Sequence, residues 1–301
     1  MISICIPIYN YDVRSLVNDL TKQIQFIFDT EVEIILIDDA SSEEYRQKNK
    51  SLQQLHEYVQ LNENIGRSRI RNLFLQYATQ PYLLFMDCDS SVKDNDQFIE
   101  NYVKALKQYR PVICYGGRVY PKECPSPQQS LSWKYGSLIE SQPANIRQRY
   151  PKLGFQSNNF IIHRSLFKEI LFDESLKQYG HEDTLFGIEL SKREISILHI
   201  ENPVLNHHIE DNLNYIDKNR LATENLVQLI RNNKITSKDF HRIKLLSFYR
   251  KINQLGLSGL FYYVFLRNET QILNHLNSKN PNLKLFNLYK LYLFIKAKKR
   301  V

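Results

Sequence analysis

The sequence predicts an α/β fold, a mostly parallel sheet flanked by helices with a helical C-terminal extension. Three observations predict it. Over the first 120 residues short apolar runs alternate with helix-length segments, the pattern of βαβ units. Two of those runs end in clustered carboxylates, Asp38-Asp39 and Asp87-Cys88-Asp89. Beyond Asn214 the strand-like runs stop and helical patterns take over.

Ile2–Ile8 is a continuous Ile-rich run, read as the first buried strand. A helix is expected at 13–28, strands at 32–37 and 56–61, and a helix at 65–77 with Ile70, Leu73, Phe74 and Tyr77 on one face. A strand at 82–86 ends at Asp87, and a helix at 96–106 and a strand at 112–115 follow. Residues 121–151 hold Pro121, Pro125, Pro127, Pro143 and Pro151 and read as a long loop with a short helix at 131–140. Loops of that length in a compact domain are usually functional. A strand at 155–162 precedes a short helix at 165–171, for which Ser165 is the expected N-cap. A helix at 184–192 and a last strand at 195–200 lead to Asn206-His207-His208. Four helices are expected after that, at 214–232, 237–254, 257–266 and 283–297. The chain is therefore divided at 1–212 and 213–301.

Of the 301 residues 43% are apolar and 24% charged, as in ordinary soluble proteins. Met1 is followed at once by Ile-Ser-Ile-Cys-Ile-Pro-Ile, without the basic region of a signal peptide. No apolar run reaches the ~18 residues that span a bilayer. A cytoplasmic protein is expected. Cys5, Cys88, Cys114 and Cys124 show no CxxC spacing and read as free thiols, not as a zinc site.

The net charge of +8 is unevenly spread: from His241 onward twelve Lys and Arg face one acid, Glu269. Such asymmetry points to an anionic partner surface. In the stretch 283–297, Lys284, Asn287 and Lys290 form one polar stripe among Leu, Phe and Tyr. That suits an interfacial helix lying on an anionic leaflet, at the inner face of the cell membrane. Packing of the helix on its own domain or on another subunit is the equal alternative. Nucleic acid is not expected, because the tail is more apolar than a basic arm and carries no known module.

Ligands of open α/β sheets bind beyond the carboxyl ends of the strands, so Asp38-Asp39 and Asp87/Asp89 are expected in one crevice. Asp87 and Asp89, one residue apart on an extended chain, face the same side and suit a hard cation completed by phosphate oxygens. Turn capping is the plain alternative. Asp38 or Asp39 suits a base N–H or a ribose hydroxyl, or caps the next helix. In His181-Glu182-Asp183 one carboxylate suits a general base, against a structural role at a helix N-terminus. His207 or His208 is placed to complete a cation site. No activated Ser or Cys arrangement is present.

Taken in order, these pieces resemble the family 2 glycosyltransferases of the GT-A fold. The matching phrases are Ile6-Pro7-Ile8-Tyr9-Asn10, Ile37-Asp38-Asp39-Ala40-Ser41, Asn64-Ile65-Gly66 with Arg71-Asn72, Phe85-Met86-Asp87-Cys88-Asp89, and Phe172-Asp173-Glu174 with Tyr179-Gly180-His181-Glu182-Asp183. The resemblance covers about residues 1–210. It implies an inverting transferase that uses a nucleotide-diphosphate sugar, a UDP-sugar in the first place, with Mn²⁺ or Mg²⁺, and a glycan or lipid-linked acceptor. Pro7, Tyr9, Asp38, Asp39, Asn64, Arg71 and Asp87 would bind the donor. Asp87 and Asp89 would hold the metal, with His207 or His208 or Asn206 as third ligand. Asp183 would be the base, with Glu182 and His181 toward the acceptor. His181 stands where relatives often carry Trp. A sugar nucleotidyltransferase would need a Gly-rich, basic phosphate loop where Pro7-Ile8-Tyr9-Asn10 stands, and a non-catalytic membrane-bound scaffold of the same fold would not need the acids.

Overall fold

A computed structural model describes residues 1–149, 151, 155–176 and 180–300. Tyr179 of the last motif lies outside the described residues. In chain order the elements begin β1 (Ile2–Ile8), α1 (Arg14–Ile24), β2 (Val32–Asp38), α2 (Glu43–Asn49), β3 (Glu57–Gln60), α3 (Arg67–Tyr77), β4 (Tyr82–Met86), β5 (Ser90–Ser91), α4 (Phe98–Tyr109), β6 (Ile113–Tyr115) and β7 (Arg118–Val119). They continue with α5 (Ser130–Tyr135), α6 (Ala144–Arg147), β8 (Asn159–His163), α7 (Arg164–Glu169), α8 (Glu182–Lys192), β9 (Leu198–His199) and β10 (Val204–Asn206). The helices α9 (Asn212–Arg231), α10 (Lys244–Gln254), α11 (Ser258–Arg267), α12 (Glu269–Leu276) and α13 (Leu283–Lys299) close the chain.

The chain forms two compact units. The first holds Met1–Tyr120, Glu140–Ser175 and Glu189–His208, and the second holds Pro121–Ile139, Leu176–Ile188 and Ile209–Val301. The first unit is built on a seven-stranded sheet of order β3-β2-β1-β4-β8-β6-β9. β1, β2, β3 and β4 run parallel, because each returns through a helix. β8 runs antiparallel to both β4 and β6. β1 is buried along almost its whole length, with Ile2, Ile4, Ile6 and Ile8 on one face. α1 presents Leu16, Val17 and Leu20 to that face, and α4 presents Phe98, Tyr102 and Leu106. Strand order reverses at β1: β2 and β3 lie on one side, and β4 on the other. Such a switch point is where doubly wound sheets open a crevice.

A second, three-stranded sheet has the order β5-β10-β7. In it Asn206 pairs with Ser90, and Val204 with Arg118.

The second unit is helical. α13 is its spine: Phe286, Tyr289, Leu291, Tyr292, Leu293, Phe294, Ile295 and Ala297 are buried. They pack against α9, α10, α11 and α5 in two apolar clusters. The expectation that this helix inserts Leu, Phe and Tyr into a membrane therefore fails for these side chains. Lys284, Asn287 and Lys290 are too narrow a polar stripe for a helix with one free face, and the structure covers the remainder. Among the described residues no helix is long and apolar enough to cross a membrane, and all four cysteines are free.

Several sequence-based boundaries shift. α1 ends at Ile24, short of residue 28, and the 121–151 region carries α5, a π-helical turn at Gly136–Glu140, and α6. α7 is capped by His163, whose Nδ1 accepts from the Ser165 N–H, and not by Ser165. α12, absent from the sequence reading, stands between α11 and α13.

Candidate active site

The first side of the crevice is made by the loops after β1 and β2. Asn10, in the left-handed region at φ 48°, accepts from the Ser42 N–H at 2.8 Å, and its own N–H donates to Ser41 Oγ at 2.9 Å. The two loops are thereby stitched together, with Tyr9 left 54% exposed above them. Pro7 is half-buried near the end of β1.

The two acids after β2 separate in role. Asp38 is fully buried, accepting from the Ser41 N–H at 2.7 Å and the Tyr58 hydroxyl at 3.1 Å. One oxygen holds the turn and the other is tied to β3. Asp39 accepts from the N–H groups of Ile65 at 2.7 Å and Gly66 at 3.1 Å. Burial pushes its pKa up, and those two N–H donors oppose the shift. Asn64 donates to the Asp39 carbonyl at 3.2 Å. Each carboxylate oxygen keeps a second lone pair, so Asp39 can still accept from a ligand.

Asp87-Cys88-Asp89 is a turn, closed by the Ser90 N–H on the Asp87 carbonyl at 3.1 Å. The two carboxylates come together through that turn and not through an extended strand. Asp87 accepts from Arg71 Nη2 at 3.0 Å. Arg71 is itself buried and lies 5.4 Å from the Phe172 ring centre. Next to it, Asn72 donates to the Phe172 carbonyl and to Glu174, both at 2.9 Å, and accepts from the Phe172 N–H at 3.0 Å. That is the physical link between Arg71-Asn72 and Phe172-Asp173-Glu174, 100 residues apart for Asn72 and Phe172. Cys88 is a half-buried thiol whose pKa is pushed up to about 12 by burial and by the flanking carboxylates, so it is inert as a nucleophile.

Asp89 has its pKa raised, first by burial and then by Asp87, while Arg118 and His208 pull it down. The small sheet explains the meeting. Continuing the β5–β10 register one residue brings Asp89 to the end of β10, where His207 and His208 follow. On the other side of β10, β7 carries Arg118. Both histidines are exposed.

Arg118 went unnoticed in the sequence because Gly116-Gly117-Arg118 belongs to no motif. It pairs with Glu140 at 3.2 Å, and its guanidinium lies 5.2 Å from the Tyr120 ring centre. Burial lowers its pKa, but Glu140 leads the groups that outweigh burial and raise it. Its Nε is buried with no hydrogen-bond partner among the described residues. Gly116 lets this segment pass: a Cβ there would lie 2.4 Å from the Asn202 carbonyl. Asn159 fixes the same turn, donating to the Gly117 carbonyl at 2.8 Å and the Asn202 carbonyl at 2.9 Å.

An open cleft of about 550 Å³ lined by Tyr11, Asp12, Arg14, Ser15, Asn18 and Tyr45 borders the loop after β1. The Tyr11 phenol pKa is raised by burial and then by Asp89, so Asp89 lies within electrostatic reach of one wall of this cleft.

The residues present fit a divalent cation. Burial and the neighbouring Asp87 both disfavour the charged form of Asp89, and a cation relieves both penalties. Among the described residues no group of three or more His, Cys, Asp and Glu gathers as a metal cage. The chain therefore offers a carboxylate pair with His208 in electrostatic reach, the arrangement in which hard cations take their other oxygens from substrate or water.

In the second unit α8 begins at Glu182, so Glu182 and Asp183 both lie in its first turn. His181, at φ 74°, precedes them. Its Nε2–H donates to the Ala222 carbonyl at 2.9 Å, and Nδ1 faces the Thr184 hydroxyl at 3.3 Å. Burial lowers its pKa. Asn225 donates to the Gly180 carbonyl at 2.9 Å. His181 thus ties the acidic turn to α9, with both ring nitrogens engaged.

Similar solved structures include S. aureus TarS 1–349, at 17% identity and TM-score 0.51 over 99% of this chain and 90% of that one. The complex of TarS 1–349 with UDP-GlcNAc gives 18% and 0.52, covering 99% and 90%. The mannosyltransferase PcManGT from Pyrobaculum calidifontis, in complex with GDP-Man and Mn²⁺, gives 12% and 0.59, covering 99% and 86%. At these identities the likeness is one of fold, the GT-A type. No curated protein matches the chain. The sequence model of the family described as Glycosyl transferase family 2 matches residues 3–171, from β1 past the Arg71–Asp87 pair to the edge of Phe172. The chain therefore belongs to glycosyl transferase family 2 and is a glycosyltransferase.

Proposed function

We propose that this glycosyltransferase moves a sugar from a nucleotide-diphosphate sugar, a UDP-sugar in the first instance, to a hydroxyl of a glycan or lipid-linked acceptor, with inversion at the anomeric carbon. The observation that carries this reading is the gathering of Asp87, Asp89, Arg118 and His208 beyond β4, at the switch point of the sheet. UDP, UDP-GlcNAc and GDP-Man are the donors and donor fragments named in the complexes of similar fold, which supports the donor class.

Asp39 would accept from the base, with Asn64 and the stitched loops bearing Pro7 and Tyr9 as walls; Asp38 supports that turn from within. Arg71 would orient Asp87 toward the ribose. Asp87 and Asp89, with His208 or His207, would hold Mn²⁺ or Mg²⁺, whose chemistry when bound is Lewis-acid stabilisation of the leaving diphosphate. Arg118 would add a second positive charge toward those phosphates. An Asp183 oxygen would take the acceptor hydroxyl's proton as the new glycosidic bond forms and the sugar–diphosphate bond breaks. Glu182 would orient the acceptor, and His181 would act by fixing the turn. The division at 1–212 and 213–301 is kept as one of roles, donor chemistry in the first part and attachment in the second, at the cytoplasmic face of the membrane. A nucleotidyltransferase is disfavoured by Pro7-Ile8-Tyr9-Asn10 where its Gly-rich loop would stand, and a non-catalytic scaffold has no use for the acid pair.

The test is thermal unfolding with UDP or GDP, with and without Mn²⁺, followed by transfer assays. A metal-dependent rise in Tm is expected, lost in Asp89→Ala. Asp183→Asn should keep that rise but lose ~10²–10⁴-fold in transfer. Unchanged stabilisation in Asp89→Ala, or near-normal transfer by Asp183→Asn, removes the residue concerned from its role.

A further inference from the structure

The surface of α11 has an apolar face that the catalytic reading does not use. One face of the helix is covered within the second unit: Phe265 is buried, Phe261 stacks on it at 4.5 Å, and Tyr262 stacks on Tyr292 at 5.7 Å. The other face carries Leu260, Tyr263, Val264 and Arg267, spaced as helical neighbours, and Leu260 is 64% exposed. The turn before α11 adds Leu255, 70% exposed, and Leu257. A Cβ built on Gly256 or Gly259 would meet no atom within 4 Å, so the open space is continuous around the turn. Single exposed apolar residues are ordinary, but a contiguous patch on a short hairpin is a docking surface.

Charge identifies the occupant. Residues 240–268 contain no acid but carry Arg242, Lys244, Arg250, Lys251 and Arg267. Lys244, Arg250, Lys251 and Arg267 are exposed, and the Arg267 guanidinium lies 5.3 Å from the ring centre of Tyr263 on the patch. The flanking acids are engaged inward: Asp239 closes a capping box with Thr236, and Glu269 accepts from Lys296, Tyr289 and Tyr292. A second copy docking through the same face would set these cations against one another. An anionic lipid leaflet complements both features, taking apolar side chains at headgroup depth and cations at its surface.

We propose that the α10–α11 hairpin docks the protein on an anionic membrane surface, with Leu255, Leu257, Leu260, Tyr263 and Val264 entering the interface. The proposal stands independently of the transfer reaction, and it moves the contact away from α13, whose apolar side chains are buried.

The full-length chain is to be sedimented with phosphatidylcholine vesicles, with and without phosphatidylglycerol, at low and high salt. Wild type should bind the anionic vesicles, release at high salt, and ignore the neutral ones. Arg250→Glu with Lys251→Glu should weaken binding by about five-fold or more per cation. Leu260→Glu with Val264→Glu should weaken it further while leaving Tm unchanged, since these side chains are exposed. Absence of binding at low salt, or wild-type binding by either double variant, overturns the proposal. A solution dimer that Leu260→Glu with Val264→Glu dissolves, seen by light scattering, overturns it in favour of a second copy.

Discussion

Arg118 shows how a residue without a motif enters a site. Its side chain is half-buried beside Glu140 and close enough to Asp87 and Asp89 to interact with their charges. A guanidinium held by a carboxylate on one side, with its Nε buried and unbonded, is oriented before any ligand arrives. Planar, permanently charged guanidinium suits phosphate recognition better than an ammonium. Arg118→Gln is expected to weaken metal-dependent UDP binding about ten-fold, one charge-assisted hydrogen bond, and to leave uridine binding nearly unchanged. Calorimetric titration with both ligands checks this. Equal weakening for UDP and uridine would mean that Arg118 only supports the local fold.

At the scale of elements, α6, the end of β6 and the end of β9 are held together by the buried cation of Arg147. Arg147 donates to the carbonyls of Gln142, Tyr115, Gly116 and Ile200, and lies 4.9 Å from the Tyr115 ring centre. It also donates to His199 Nδ1 at 3.1 Å, which leaves Nε2–H to donate to the Pro151 carbonyl at 2.9 Å. The arginine can only donate, so the tautomer is fixed and a second ring proton would point at a cation. Burial accordingly lowers the His199 pKa to about 4, with Arg147 adding to it. The sign follows: below the unfolded value of ~6.5 the unfolded chain takes a proton that the folded chain refuses. Stability is therefore complete above ~6.5 and falls as pH drops toward 4, by up to roughly 3 kcal/mol. Urea midpoints at neutral and mildly acid pH should drop less in His199→Gln than in wild type. Parallel pH slopes would show that other groups carry the acid sensitivity.

For the molecule as a whole, α13 decides what the C-terminal region is. Leu291 and Phe294 are essentially inaccessible and sit in the cluster shared by α9, α10 and α13. Leu291→Ala or Phe294→Ala should each cost about 2–5 kcal/mol, seen as a lower denaturant midpoint. By the same reasoning, removal of the whole helix takes away more burial than the ~5–15 kcal/mol that holds a domain together. Cooperative unfolding of either variant within about 0.5 kcal/mol of wild type would return α13 to the surface.

β1 to β4 and their helices were legible from the sequence because buried parallel strands read as continuous apolar runs, and the run Tyr82–Met86 matches its strand residue for residue. The position of Asp39 after β2 and of Asp87 and Asp89 after β4 was legible because these acids close continuous apolar runs. The antiparallel sense of β8 was not, since an apolar run carries no direction. Nor was Arg118, whose meeting with Asp89 depends on β7, β5 and β10 pairing across more than 100 residues of chain. Nor was the fate of α13: its Leu, Phe and Tyr side chains suit lipid or protein equally. Only packing against α9, α10 and α11 decided between them, because apolar burial is non-directional and the sequence does not name the surface that supplies it.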